Sequence, residues 1–275
     1  MRSYTYVYGT AAVQPFGYDP VSAAAGALKV PTLGGRSMTR AMSTLYHKDL
    51  GSMEYCAALA LQERLVDFKK SGSASDLLLI VEHPHVYTLG RGGDLNNVLA
   101  AQDVPVHRTS RGGDVTYHGP GQLVVYPIVD LRSKLRKDVH RYLHNLELAV
   151  IETLKDFSLE ATRRPPYTGI WVDNRKIAAI GIAVRRSITL HGLALNINTD
   201  LSYFDRIIPC GLSWADVTSM AKELDAEQNQ SEVRARFLRH FAELFGYDEI
   251  KEGLEEFECH CGDLNSGSDA TIGMF

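Results

Sequence analysis

Arg111-Gly112-Gly113-Asp114-Val115-Thr116-Tyr117-His118-Gly119-Pro120-Gly121-Gln122 sets four glycines and one proline in twelve residues and runs straight into the apolar segment Leu123-Val124-Val125-Tyr126-Pro127-Ile128-Val129. The glycines and the proline dictate a backbone that turns sharply and comes close to something, and Arg, Thr, Tyr and His surround it with polar groups. The apolar segment reads as a buried strand, so the loop is anchored to a sheet. A binding loop needs that anchoring, whereas a plain surface turn does not. Gly-rich turns offer backbone N–H groups to phosphates or carboxylates, while Arg-Gly-Gly in RNA-binding tails belongs to disordered segments; here a single copy stands among strand-like stretches.

On its N-terminal side, residues 77–81 (Leu-Leu-Leu-Ile-Val) read as a second buried strand and residues 86–90 as a third, with His83-Pro84-His85 between them. A helix is expected from Ser52, with Tyr55, Ala58, Leu59, Leu65 and Val66 on one side and Lys69-Lys70-Ser71-Gly72 as its stop. On the C-terminal side a second helix over residues 138–157 places Val139, Tyr142, Leu143, Leu146, Val150 and Leu154 at helical spacing. Residues 168–172, 176–184 and 189–198 are strand-like, with Asp173-Asn174-Arg175 as a hairpin turn that leaves Lys176 at a strand start. A last helix over residues 231–245 has Ser231 as expected N-cap and Gly246 as stop. The organisation expected is an N-terminal extension over residues 1–42, one catalytic domain over 43–250 and a polar tail over 251–275, with Met38 and Met42 standing just before the first regular pattern as alternative starts.

A chain of 275 residues, 45% hydrophobic and 23% charged, has the composition of an ordinary soluble globular protein. It contains no uninterrupted apolar run of about 18 residues, so no membrane span is expected. Its net charge of −4 argues against general nucleic-acid binding. Four cysteines, Cys56, Cys210, Cys259 and Cys261, are too few for a disulfide scaffold, which favours a reducing, cytoplasmic setting. Cys259-His260-Cys261 lacks a partner pair at zinc-finger spacing, so no metal is expected.

Cys210 stands in Ile207-Ile208-Pro209-Cys210-Gly211-Leu212, where Pro and Gly fix the backbone on either side of the sulfur, a precaution that a buried core cysteine seldom needs. A thiol with pKa near 8.5 is only a few per cent ionised at neutral pH, so a nucleophilic role requires a cation. Lys176 is the candidate. An ammonium within about 4–6 Å that lowered the thiol pKa by roughly two units would supply about 2.7 kcal/mol and make thiolate the majority form. It would also hand a proton to a leaving thiolate and take one from an incoming amine. His83, His85, His118 and His191 stay open as alternative bases.

The ordered set His83-Pro84-x-x-Tyr87-Thr88-x-Gly90, Arg111-Gly112-Gly113-x-x-Thr116-Tyr117-His118-Gly119-Pro120-Gly121-Gln122, Lys176-Ile177-x-x-Ile180-Gly181, His191-Gly192-x-Ala194-x-Asn196 and Pro209-Cys210-Gly211 resembles the lipoyl(octanoyl) transferases. The resemblance spans residues 45–250 and implies an α/β (α+β) fold, a mixed and largely antiparallel sheet flanked by helices, like the catalytic domains of biotin and lipoate ligases. It implies transfer of an octanoyl group from octanoyl-acyl carrier protein to a lysine of lipoyl domains, as in 2-oxoacid dehydrogenase complexes and the glycine cleavage H protein, through an acyl-cysteine and without cofactor. By position Cys210 matches the nucleophile and Lys176 its activating lysine. Arg111, Gly112, Gly113, Asp114, Val115, Thr116, Tyr117 and His118 match the main substrate loop, and Ala179-Ile180-Gly181 with Gly192-Leu193-Ala194 match the other acyl-site segments. His83 matches the motif as a possible further site residue. A monomer with neither nucleic-acid nor membrane partner is expected. The basic run Arg132-Ser133-Lys134-Leu135-Arg136-Lys137 is expected to help dock the acidic carrier. Two other readings stay open, an ATP-dependent lipoate–protein ligase and a non-catalytic module that holds acyl carriers or lipoyl domains; the Pro209-Cys210-Gly211 turn with Lys176 separates the transferase from both.

Overall fold

The computed structural model describes residues 42–70, 72, 75–211 and 214–254. The expected N-terminal extension, apart from Met42, and Cys259-His260-Cys261 lie outside the described residues. The main sheet follows the order β12-β1-β2-β6-β10-β9-β8-β7, with β11 paired to β9. Its strands are β1 Thr44–Ser52, β2 Asp76–Glu82, β6 Gln122–Ile128, β7 Thr162–Arg164, β8 Tyr167–Val172, β9 Arg175–Arg185, β10 Ile188–Asn196, β11 Asp216–Val217 and β12 Glu249–Glu252. The pairs from β2 through β7 are antiparallel, and β1 pairs in parallel with both β2 and β12. A second, small sheet of β3 Val86–Leu89, β4 Val106–Arg108 and β5 Val115–His118 has the order β4-β3-β5.

Alternation along β2 builds the layers. Leu78 and Ile80 turn to the face covered by α3 (Val139–Lys155) and α5 (Gln230–Phe245), where they join Tyr142, Leu146, Val150, Leu154, Phe237 and Phe241. Leu77, Leu79 and Val81 turn to the face covered by α1 (Tyr55–Lys69), against Ala58, Leu61, Leu65 and Val66. Each such side chain contributes about 1.5–3 kcal/mol by leaving water. α2 (Leu131–Lys134) and α4 (Met220–Leu224) are single short turns.

The differences from the sequence reading are local. Ser52 ends β1 rather than opening α1, because Thr44-Leu45-Tyr46-His47-Lys48-Asp49 is strand by pairing on both sides, with only Leu45 fully buried and so no alternation to read. Leu59 is only half buried; Leu61 and Gln62 take the inner face instead. The N-cap of α5 is Asn229, whose Oδ1 accepts from the N–H groups of Ser231 at 3.0 Å and Glu232 at 3.3 Å, so Ser231 lies inside the first turn. Gly246 does end α5, at φ 70°. β12 carries the chain on to Glu252, past the expected boundary at residue 250.

The basic run 132–137 sits at the wrong end of the sheet for the role expected of it. Leu131 N–H donates to Ser187 O, beside the start of β10, while Gln122 lies at the opposite end of β6, a strand of roughly 20 Å at about 3.4 Å per residue. Arg132 closes a fork on Asp130, and Lys134 donates to Ser43 and Gly246 while lying 3.9 Å over the Tyr247 ring.

One buried ion pair ties four elements together. Lys69 Nζ is 2.8 Å from Asp76, whose carboxylate also accepts from Tyr247 Oη at 2.7 Å and Asp130 N–H at 2.9 Å. Removing one partner of such a pair strands the other. Asp76→Ala is expected to cost about 3–5 kcal/mol in urea unfolding; a loss below about 1 kcal/mol would mean that the pair is not desolvated.

Candidate active site

The loop quoted first folds down onto β9. Gly112 N–H donates to Ile182 O at 2.9 Å, and a Cβ on Gly181 would stand 2.9 Å from Gly112 O. Gly90 approaches from the other side, where a Cβ would stand 2.2 Å from Gly113 O. Backbone bonds Arg91 N to Arg111 O and Gly92 N to Gly113 O zip the two motifs together. Glycine is required here for close approach of three backbones.

Arg111 turns inward and is 9% exposed. It donates from Nη2 to Thr88 O at 2.6 Å and Thr88 Oγ1 at 2.9 Å, and from Nη1 to Gly112 O at 2.9 Å, so it braces the loop. Asp114 accepts from Asn97 Nδ2 at 2.5 Å and from the N–H groups of Val115 at 2.6 Å and Asp94 at 3.2 Å. Its Oδ2 lies where a Cβ on Gly211 would come within 2.9 Å, and Asn97 O accepts from Ile208 N–H at 2.7 Å. Asp114 and Asn97 thus hold the Pro209–Gly211 turn. Asn97 was not singled out by sequence, since a lone Asn in a loop carries no pattern. Along β5, Val115 and Tyr117 point into a third core with Tyr87, Leu89, Phe204 and Ile207, so what they offer a ligand is backbone. Thr116 and His118 point the other way.

The two triplets that the resemblance assigns to the acyl site face each other residue by residue, as Ala179↔Ala194, Ile180↔Leu193 and Gly181↔Gly192. Ile180 and Leu193 turn into the α3/α5 core, whereas Ala194 belongs to the opposite face. On that face Gly192 and Ala194 are buried, whereas Ala179 and Gly181 are half buried and Gly181 packs against Gly112 O.

Lys176, at the start of β9 beside a turn, is 7% exposed. Its Nζ lies 5.3 Å from the Trp171 ring centroid, and its stem packs on Gly169, where a Cβ would stand 2.5 Å from Cε. Trp171 stacks in turn on Trp214 at 5.8 Å. The chain that leaves the Pro209–Gly211 turn comes back as β11, pairing Val217 with Lys176. The side chain of Cys210 lies outside the described residues, so its pairing with Lys176 is taken up below as a proposal.

A buried hydrogen-bond chain links loop to lysine. Thr218 N–H donates to Lys176 O at 3.0 Å, and Asn196 Nδ2 donates to Thr218 O at 2.9 Å. Gln122 Nε2 donates to Asn196 Oδ1 at 2.9 Å, which leaves its Oε1 to accept from His118 Nδ1 at 2.8 Å. His118 Nε2 then takes the Thr88 hydroxyl at 3.3 Å, and Thr88 holds Arg111. Carbonyls at one end and a guanidinium at the other fix every donor along the way.

That direction requires neutral His118. Burial, with His83 nearby, pushes its pKa down to about 3. Burial and Arg111 bring His191 to about 3 as well, and burial lowers His83, which donates from Nδ1 to Met53 O at 2.6 Å and accepts at Nε2 from Tyr126 Oη at 2.7 Å. His85 Nδ1 meets Tyr117 Oη at 2.7 Å and His191 Nε2 meets Ser110 Oγ at 2.8 Å. These histidines are engaged as structural links, which leaves Lys176 as the candidate base. Unfolded imidazole takes a proton below about pH 6.5, whereas the buried rings resist until about pH 3, so stability falls as pH drops through that window, by about 1.4 kcal/mol per pH unit per ring. His118→Gln is expected to flatten the slope of unfolding free energy against pH by that amount; an unchanged slope would mean that the ring titrates normally.

Residues 54–242 match the family model of the lipoyl protein ligase A/B catalytic domain. An octanoyltransferase of Solibacter usitatus is 52% identical over 207 residues, covering 73% of this chain and 93% of the relative. One of Geotalea uraniireducens is 47% identical over 188 residues, covering 68% of this chain and 87% of the relative. Among solved structures, a putative lipoate protein ligase of T. acidophilum is similar with a TM-score of 0.60 at 17% identity, covering 77% of this chain and 88% of that one. Another, described as a bi-partite lipoate protein ligase and its E2 lipoyl domain from Thermoplasma acidophilum, has a TM-score of 0.60 at 17% identity and covers 78% and 89%. The mixed, largely antiparallel sheet flanked by helices is the expected lipoate-ligase-like fold.

Proposed function

The chain belongs to the lipoyl protein ligase A/B catalytic-domain family, with octanoyltransferases as its curated relatives, and from that we propose that it moves an octanoyl group from an acyl-carrier thioester to a lysine of a lipoyl domain through acyl-Cys210. The observation that carries the reading is Lys176, a lysine buried over an indole and paired with the strand that returns from the Pro209–Gly211 turn. Its ammonium keeps the Cys210 sulfur ionised. The thiolate attacks the thioester carbonyl, the bond to the carrier's sulfur breaks, and Lys176 protonates the leaving thiolate. The neutral amine of the acceptor lysine then attacks acyl-Cys210. The amide forms, its surplus proton passes to Lys176, and Cys210 is released as thiolate. The amide is more stable than the thioester, so the second step drives the first and no ATP is required.

The octanoyl tail is expected beside the segments Ala179–Gly181 and Gly192–Ala194 and the loop that starts at Arg111. The lipoyl-domain acceptor is supported by the Thermoplasma acidophilum relative, which is described together with its E2 lipoyl domain. The competing ligase reading requires ATP and a free acid. Octanoylation of a lipoyl domain by purified enzyme and octanoyl-carrier protein without nucleotide is the expected result; modification only with free octanoate and ATP would overturn the reading.

A further inference from the structure

Beside Lys176 the sheet ends in an edge that carries both charge and exposed aromatic surface. β7 is the edge strand, and its Arg163 and Arg164 point to opposite faces. On the Lys176 side the Arg164 guanidinium lies 4.7 Å over the ring of Trp214, which is 46% exposed and packs against Tyr167, 37% exposed. Trp214 stacks on buried Trp171, whose ring faces Lys176, and the Trp171 Nε1–H has no acceptor among the described residues. On the other side Arg163 lines an open groove of ≈ 610 Å³ with His140, Arg141 and His144 from α3, beside the carboxylates of Asp138 and of Glu147, which lies 3.7 Å from Arg163.

We propose that this edge, Arg163 and Arg164 with Arg141, Tyr167 and Trp214, is the docking surface for an acidic acyl-carrier domain, which lays its thioester arm across Trp214 toward Lys176. The proposal rests on the transferase reading above. Three observations favour the donor over the acceptor as occupant. Arg141, Arg163 and Arg164 outnumber the groove's two carboxylates, Asp138 and Glu147, in a chain of net charge −4, and that surplus complements an acidic body. The exposed indole and phenol suit an uncharged, largely apolar arm, whereas an acceptor lysine would bring a cation toward three arginines. The basic run 132–137 lies at the far end of β6, with Arg132 and Lys134 engaged by their own chain.

The test is steady-state kinetics of the full chain carrying Arg141→Glu and Arg164→Glu, with Arg136→Glu and Lys137→Glu as comparison. An acid in the first turn of α3 suits the helix dipole, so the first change is tolerated by the fold. Arg164→Gln, which keeps a donor for Asn174, serves as a milder variant. The KM for octanoyl-carrier protein is expected to rise about tenfold or more at low salt in the first double variant and to recover toward wild type at high salt. Turnover with an octanoyl ester of a small thiol and the KM for the lipoyl-domain acceptor stay within about twofold. A rise in the acceptor KM instead, an equal loss with the small thioester, or an equal effect of the 136/137 pair would each overturn the proposal. Wild-type enzyme that ignores octanoyl-carrier protein and uses free octanoate with ATP would overturn the transferase reading itself, and the docking proposal with it.

Discussion

Lys176→Met is expected to lower octanoyl transfer by about 10²–10⁴-fold, the range of a general acid–base group, with little change in melting temperature. Methionine keeps the length and the apolar contact with Trp171 and Gly169, so the comparison isolates the ammonium. Two consequences follow from the same charge. Alkylation of Cys210 by iodoacetamide should move to higher pH in the variant, because the cation that favours thiolate is gone. Gly169→Ala should imitate the loss while leaving Lys176 in the chain: at φ +125° the new Cβ would stand 2.5 Å from Cε and displace the stem. A Lys176→Met enzyme within about threefold of wild type would remove the lysine from the chemistry.

Asn196→Asp is the second large effect. Asn196 is 4% exposed, donates to Thr218 O and accepts from Gln122. A carboxylate has no donor for Thr218 O and would face that carbonyl as a buried charge. We expect a stability loss of about 1–3 kcal/mol and, below the melting transition, a fall in kcat of about tenfold or more with the donor KM nearly unchanged. The split follows from geometry. Thr218 anchors the backbone of Lys176, while the ladder pairs from Ala179↔Ala194 to Gly181↔Gly192 stay in place in the substituted chain. A kcat equal to wild type in the folded fraction would confine the hydrogen-bond chain to a structural role.

Much of this was legible in the sequence, and the reasons differ by element. The all-apolar run of β6 and the alternating-free Leu77 to Val81 announced strands buried on both faces, and both hold the centre of the sheet. Gly112, Gly113 and Gly181 announced close backbone approach, and they provide it. β1 was illegible because its strand state comes from neighbours rather than from its own pattern. Arg111 and Asp114 looked like groups aimed at a ligand, but a guanidinium and a carboxylate in a glycine-rich loop serve equally to satisfy the loop's own carbonyls and N–H groups, and the sequence does not distinguish the two uses. The burial of Lys176 was likewise hidden, since it depends on Gly169 and Trp171 from the preceding strand. Gln122 and Asn196 stood in recognisable motifs, yet their partnership across 74 residues appears only when β6 and β10 pair.

The central claim is a covalent octanoyl group on one sulfur. Intact-protein mass spectrometry of the enzyme mixed with octanoyl-carrier protein, without acceptor or nucleotide, tests it most directly. The account predicts a gain of one octanoyl mass that maps to Cys210, disappears on adding a lipoyl domain and is absent from Cys210→Ala. An unmodified enzyme that still octanoylates the lipoyl domain, or a Cys210→Ala variant that does so at the wild-type rate, would contradict it.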